Sequence, residues 1–292
     1  MNSSPVIFDR KLLAQRRARA LALGPSTFLL DRVAEDLGDR LVAVLRHYER
    51  ALDLGTPGDA LRRVLSASGK VDSIVGGVTF DEEALPFGDA SLDLVVSGLA
   101  LQFVNDLPGT LVQIRRALKP DGLFLAAIVG GDTLNELRQC FARAESEIEG
   151  GLSPRVAPFA DLRDLGGLLQ RAGFALPVTD LDRITVRYDT PLALMHDLRR
   201  MGATNVLVDR RRQTLRRATL MRMLEVYGAR FSDADGRIRA TFEIVWLSGW
   251  APHASQQQPL KPGSAQLRLA DALKTKELPA GEKASMRATK DV

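Results

Sequence analysis

Four short stretches hold residues of the type that bind small molecules or move charge. In the first, the apolar run of residues 51–54 carries Asp53 and breaks at Gly55, followed by Thr56-Pro57-Gly58-Asp59. A strand that ends in glycine lets the backbone pass close to a ligand where a Cβ would collide. In the second, Asp81-Glu82-Glu83 forms an acidic turn before Leu85-Pro86-Phe87. Its carboxylates either accept a ligand amino group or sit in solvent. The third is Gly130-Gly131-Asp132, behind the apolar run of residues 123–129. It is either a place where a substrate backbone approaches closely or a strained turn with a capping acid. The fourth is basic: Arg210-Arg211-Arg212, with Arg199, Arg200, Arg216, Arg217 and Arg222 nearby. These arginines read as a solvated face held by ion pairs, as a surface for an acidic protein, or as a nucleic-acid surface. The near absence of stacking aromatics weighs against the last.

Metal and nucleophile signatures are missing. His47, His196 and His253 are far apart, with no His-x-Asp or His-x-x-x-His pair. Cys140 is the only cysteine, so no intramolecular disulfide is possible, and its spacing with Leu137, Phe141 and Ala144 puts it on the apolar face of a helix.

The elements that position these stretches follow from periodicity. Residues 92–97 and 123–129 are apolar, β-branched runs of the length of strands buried on both faces. Between them Asp106 stands where an N-cap belongs and Pro108 in the first helical turn, with Leu107, Leu111, Ile114 and Leu118 at helical spacing. Lys119-Pro120-Asp121-Gly122 has the composition of a tight turn. Strand, helix, strand makes a βαβ unit with parallel strands and a right-handed crossover. Helix is expected over 10–23 and 27–48, with Leu29, Val33, Leu37, Leu41 and Leu45 on one side of the second. Asp59 should cap a helix over 60–65. Thr133 and Glu136 read as a capping box opening a helix to 149. A helix over 161–172, a strand over 179–188, a helical insertion over 191–227 and a final antiparallel strand over 241–250 at the far side of the sheet complete the series. Beyond residue 253 the composition turns to Gln, Pro, Lys and Ala, which predicts a loosely packed tail.

The order and spacing of Asp81-Glu82, Leu85-Pro86-Phe87, Asp93-Leu94-Val95-Val96-Ser97 and Leu118-Lys119-Pro120-Asp121-Gly122 resemble the class I S-adenosylmethionine-dependent methyltransferases. A narrower resemblance, through Gly130-Gly131-Asp132-Thr133-Leu134, Glu136-Leu137-Arg138, Glu149-Gly150-Gly151 and Ser153-Pro154, is to the mitochondrial complex I assembly factors that hydroxylate protein arginine, and to their bacterial relatives. Phe8-Asp9-Arg10, Asp164-Leu165-Gly166, Arg171-Ala172-Gly173-Phe174, Gly249-Trp250 and Gly263-Ser264-Ala265 extend it over nearly the whole chain.

The resemblance implies an α/β, Rossmann-like methyltransferase fold with a mostly parallel central sheet. It implies a helical arm over 1–50, a methyltransferase-like domain over 51–250 with an insertion at about 191–230, and a polar tail over 251–292. It places S-adenosylmethionine against Asp53, Gly55, Gly58, Asp81, Glu82, Ser97, Gly98 and Leu99. The substrate or partner falls to Gly130, Gly131, Asp132, Arg210, Arg211 and Arg212. Two departures count against the cofactor. Pro57 and Asp59 stand at the second and third glycines of the superfamily's acid-x-Gly-x-Gly-x-Gly turn. From residue 70 to 81 only Gly76-Gly77 separates Val75 from Val78, too little for a parallel crossover. One strand and its helix are therefore missing, or the segment is a Gly-Gly hairpin. No acid follows Val75 to hold ribose hydroxyls, and Asp72 lies at the wrong end.

Composition bounds the rest. The 292 residues suit one large domain with additions, and no apolar run approaches the roughly 20 residues of a membrane helix. Net charge is +4, and of 40 basic residues eight are Lys and 32 Arg, a bias that reads as nucleotide composition of the gene rather than as selection for a polyanion. Residues 10–23 are basic, amphipathic and free of acids like a transit peptide, but the resemblance starts at Phe8, so they read as a mature arm. Two functions stay open. One is an enzyme that uses S-adenosylmethionine and modifies an arginine of a complex I subunit, by methyl transfer or hydroxylation. The other is an assembly chaperone on a degraded methyltransferase scaffold. Either implies a protein partner, no nucleic acid, no membrane span beyond peripheral contact with the inner membrane, and a bacterial cytoplasm or a mitochondrial matrix.

Overall fold

The computed structural model describes residues 5–77, 80–257, 264 and 267–276. The chain divides at His253 into two compact units. The first runs α1 (Arg10–Ala22), α2 (Phe28–Val42), β1 (Tyr48–Leu54), α3 (Ala60–Ala67), β2 (Val71–Gly77), β3 (Leu92–Gly98), α4 (Leu107–Ala117), β4 (Leu118–Val129), α5 (Asn135–Glu149), α6 (Leu162–Arg171), β5 (Ala175–Tyr188), α7 (Pro191–Arg200), α8 (Arg217–Phe231) and β6 (Ile238–Trp250). Within the second unit the described residues include one short helix, α9 (Leu269–Ala272). The expected loose tail lies for the most part outside the described residues.

Six strands form one sheet in the order β2-β1-β3-β4-β6-β5. The first four run parallel, and β6 is antiparallel to both β4 and β5. This is the Rossmann-like arrangement the two central strands predict. Alternation along each strand feeds two cores. Leu94, Val96, Leu125 and Ala127 pack with α2, α3, α5, α7 and α8, while Val95, Phe124, Ala126 and Ile128 pack with α4 and α6. Because α3 and α4 cross on opposite faces, the strand order reverses between β1 and β3. A crevice must open there, at the carboxyl ends of the strands.

The short segment that begins with β2 settles as a deletion rather than a hairpin. β2 pairs in parallel with β1 from Tyr48↔Val71 to Leu54↔Gly77, so Gly76 and Gly77 belong to the strand itself. Both have positive φ, and a Cβ at Gly76 would overlap the carbonyl of Asp53. Between β2 and β3 the described residues hold no helix and no further strand, and residues 78–79 lie outside them.

Several local expectations give way to tertiary partners. α2 stops at Val42, because Tyr48 N–H donates to the Lys70 carbonyl (2.8 Å) and opens β1; Leu45, outside the helix, is exposed. Asp59 precedes α3 without a capping bond from its side chain and lies 3.6 Å from Arg63 instead. Lys119-Pro120-Asp121-Gly122 is not a free tight turn. It is taken into the start of β4 as an irregularity between the pairs Leu92↔Leu118 and Leu94↔Leu123, with Asp121 at φ 64°. The expected capping box does not form. Thr133 Oγ1 donates to the Glu243 carbonyl (3.2 Å) and accepts from Glu243 N–H (2.9 Å), Glu136 receives Thr241 N–H (3.1 Å) and Oγ1 (2.5 Å), and Leu134 in the left-handed region precedes α5. The insertion is two helices, α7 and α8, joined by an irregular segment. The final strand β6 lies inside the sheet, leaving β5 at the edge.

Candidate functional site

A cavity of about 780 Å3 opens where the strand order reverses. Its floor is built by Pro57 and Gly58 after β1, Leu99 after β3 and Val129 at the end of β4. α1 closes one side, with Arg10, Leu13, Ala14 and Arg17 at helical spacing on the wall. α1 is fixed there by Asp9, which caps it by accepting Leu12 N–H (2.9 Å), and by Phe8, which packs edge-on against Phe103. The segments 155–159 and 200–211 complete the enclosure.

Among the described residues Glu82 is the one carboxylate on this wall. It is buried and ion-paired to Arg10, whose guanidinium also meets Asp81 at 3.3 Å and Glu83 at 3.6 Å. The acidic turn is thus only partly solvated: Arg10 draws Glu82 under α1 while Asp81 stays exposed. Glu82 also explains Gly55. At φ 72° a side chain is disfavoured, and a Cβ there would overlap Glu82 Oε1. Asp53 lies beneath, only 1 % exposed, with Oδ1 lacking any hydrogen-bond partner among the described residues. Burial raises its carboxyl to about 6, partly opposed by hydrogen bonding from Thr56.

The other expected residues divide. Gly58 and Leu99 lie on the wall, Leu99 at φ 51°. Ser97 and Gly98 brace the turn from behind: Ser97 Oγ donates to the Leu54 carbonyl (2.7 Å) and Gly98 N–H to Thr56 Oγ1 (2.9 Å). Asp81 is an exposed partner of Arg10. Around Gly130-Gly131-Asp132 the cavity takes Val129 and Thr133, whereas Asp132 pairs with Arg183 at 2.5 Å. Arg210 and Arg211 line the cavity, paired to Asp9 (3.4 Å) and to Glu149, while Arg212 is exposed. The three arginines do not form one surface.

The residues that sequence reasoning missed are arginines of the arm. Seven arginines face the cavity against one carboxylate among the described residues. Arg155 is held by Glu145 (2.6 Å) and Arg200 by the Gly24 carbonyl (2.7 Å). Arg16 Nε and Arg17 Nη2 have no partner among the described residues, and burial lowers the pKa of both groups. The spacing of Arg10, Leu13, Ala14 and Arg17 was the available signal. Among the described residues no cluster of three or more His, Cys, Asp or Glu is arranged to hold a metal ion.

Residues 57–126 match the family model of a methyltransferase domain. The chain is 37 % identical to the mitochondrial arginine-hydroxylase NDUFAF5 of Danio rerio, across 93 % of this chain and 91 % of that protein. It is 38 % identical to that of Homo sapiens, across 95 % and 86 %. A malonyl-[acyl-carrier protein] O-methyltransferase of Laribacter hongkongensis is 41 % identical over 64 % of this chain and 60 % of its own length. Among solved structures, the YcgJ protein of Bacillus subtilis superposes with a TM-score of 0.51 at 15 % identity, covering 75 % of this chain and 99 % of YcgJ.

Proposed function

The chain belongs to the arginine-hydroxylase NDUFAF5 family, and from that membership we propose that it modifies an arginine of a respiratory complex I subunit during assembly, with S-adenosylmethionine bound in the cavity at the strand ends. The observation that carries the cofactor reading is the union of a glycine cradle and an acid at one place: Gly55 at positive φ beneath the buried carboxylate of Glu82. β2 ends in Gly76-Gly77 and supplies no acid at its carboxyl end. Glu82 takes its place as the acceptor for ribose hydroxyls or an ammonium. Leu30, Phe80 and Leu99 give the apolar surface an adenine needs. The unpartnered Asp53 Oδ1 keeps an acceptor under the turn. The residues present therefore fit the group.

S-adenosylmethionine, when bound, supplies an electrophilic methyl group. The chain's own part is placement and exclusion of water: the arm of residues 1–50 covers the cavity through α1, and Arg10 holds Glu82 in position. Modification of an arginine then depends on how the partner's side chain enters between the arm and the segment 200–211. No helix among the described residues is long and apolar enough to cross a membrane. We place the protein in a bacterial cytoplasm, or in the mitochondrial matrix of a eukaryote, meeting its partner at the inner face of the respiratory membrane.

A second reading is an assembly chaperone that binds its partner without the cofactor. It is favoured by Pro57, which removes an N–H from the turn, and by the missing acid after β2. Mass spectrometry of complex I subunits from cells with and without the gene separates the two. An arginine that loses the mass of one oxygen or one methylene on deletion supports the enzyme. Failed assembly with every arginine unchanged supports the chaperone.

A further inference from the structure

Arg17 is, with Arg16, one of two charged groups in the cavity whose placement nothing above explains, and the one of the two that lies in the field of Glu82. It stands two helical turns after Arg10 on the face of α1 that lines the cavity. Its backbone packs closely on the segment that follows α7: a Cβ at Gly202 would come within 3.2 Å of Arg17 Cα. Its guanidinium lies in the field of Glu82, but that carboxylate is already paired to Arg10, and Arg17 makes no ion pair among the described residues. A guanidinium withdrawn from water without an anion is costly to keep. Such a group is retained where a ligand brings the missing charge.

Resting on the cofactor reading, we propose that Arg17 binds the α-carboxylate of the cofactor's methionyl end. The turn after β1 needs such help. Backbone N–H groups of a glycine turn and helix N-terminus ordinarily receive an anion. Here Pro57 has no N–H, and Asp59 adds a carboxylate at the mouth of α3 that makes no capping bond and is offset only in part by Arg63 at 3.6 Å. A carboxylate directed at that turn is repelled. Moving its anchor to the arm solves the problem, because Arg17 faces the cavity from the opposite wall. It also makes α1 part of the binding site, so that ligand and arm hold each other in place. Glu82, between Arg10 and Arg17, is left to receive the ligand's donors.

The test is isothermal titration of the full-length protein with S-adenosylmethionine and with decarboxylated S-adenosylmethionine, which differ only in the carboxylate. The wild type should prefer the first by about 10- to 150-fold, the range for one hydrogen bond to a charged group. Arg17→Gln should erase that preference by weakening the first ligand while leaving the second unchanged, and Arg17→Lys should restore part of it. Binding of the decarboxylated ligand certifies that each variant is folded. Equal wild-type affinity for the two ligands overturns the role of Arg17 even if no variant folds. A preference that survives in Arg17→Gln does the same, and both results leave the cofactor reading intact. Absence of binding by either ligand to the wild type overturns both.

Discussion

Replacing Asp53 by asparagine tests whether the buried end of β1, behind the turn at Gly55, holds a carboxylate at a cost. Asp53 is 1 % exposed and one of its oxygens has no partner among the described residues. Burial raises its carboxyl from 3.8 to about 6. The folded state thus binds a proton more tightly than the unfolded chain. Its stability must fall as pH rises from about 4 to about 6, and the penalty is complete above the folded value. A rise of that size corresponds to about 3 kcal/mol. Asparagine keeps the shape and an acceptor for Thr56 but cannot ionise. Its amide N–H2 loses a partner, which costs about 1–3 kcal/mol at every pH. The net effect at neutral pH is therefore small, and the slope is the informative quantity. Urea unfolding followed by the fluorescence of Trp246 and Trp250 on β6 reads it directly. The stability of the Asp53→Asn variant relative to wild type should rise by about 2.5 kcal/mol between pH 4 and pH 7. Parallel curves for the two proteins across that range would refute the argument, and a gap that narrows with pH would reverse its sign.

Other perturbations follow from the same contacts. Gly55→Ala forces a Cβ onto Glu82 at a positive φ, costing about 1–2 kcal/mol from the backbone alone, so its melting temperature should drop by several degrees. Glu136→Ala strips Thr241 of both its bonds to a buried carboxylate and should cost about 1.5–3 kcal/mol in urea unfolding. Arg211→Ala breaks the pairing that joins the 200–211 wall to Glu149 and should lower the melting temperature, whereas Arg212→Ala, exposed, should leave it unchanged.

The contrast between Arg211 and Arg212 marks the boundary of what the sequence makes legible. A run of three arginines reads as one surface because a sequence shows charge but not direction. In the fold two of them turn inward to Asp9 and Glu149, about 200 and 60 residues away in the chain. The shortening between β2 and β3 was legible for the opposite reason. Two glycines cannot span a parallel crossover, which left a missing strand or a Gly-Gly hairpin, and the parallel pairing of β2 through Gly77 decides for the first. The central strands were equally plain, since both of their faces are buried and their runs are continuous. Thr133 and Glu136 misled because a capping box is a local inference. Here the antiparallel strand β6 delivers Glu243 and Thr241 to the same groups and outcompetes the helix end. The acidic turn was correctly found, but its burial was not, because the arginine that buries Glu82 lies 72 residues earlier. Arg17 shows the remaining gap: its spacing with Arg10 and Leu13 was visible, and the cavity it faces was not.

The central claim is that a ligand-binding cavity survives at the strand ends despite Pro57, Asp59 and the lost strand. Calorimetric titration of the full-length protein with S-adenosylmethionine, paired with Glu82→Gln, tests it most directly. The account predicts saturable binding by the wild type and a loss of about 10- to 150-fold when the carboxylate is removed. Silence across millimolar ligand, or an affinity indifferent to Glu82, would contradict it.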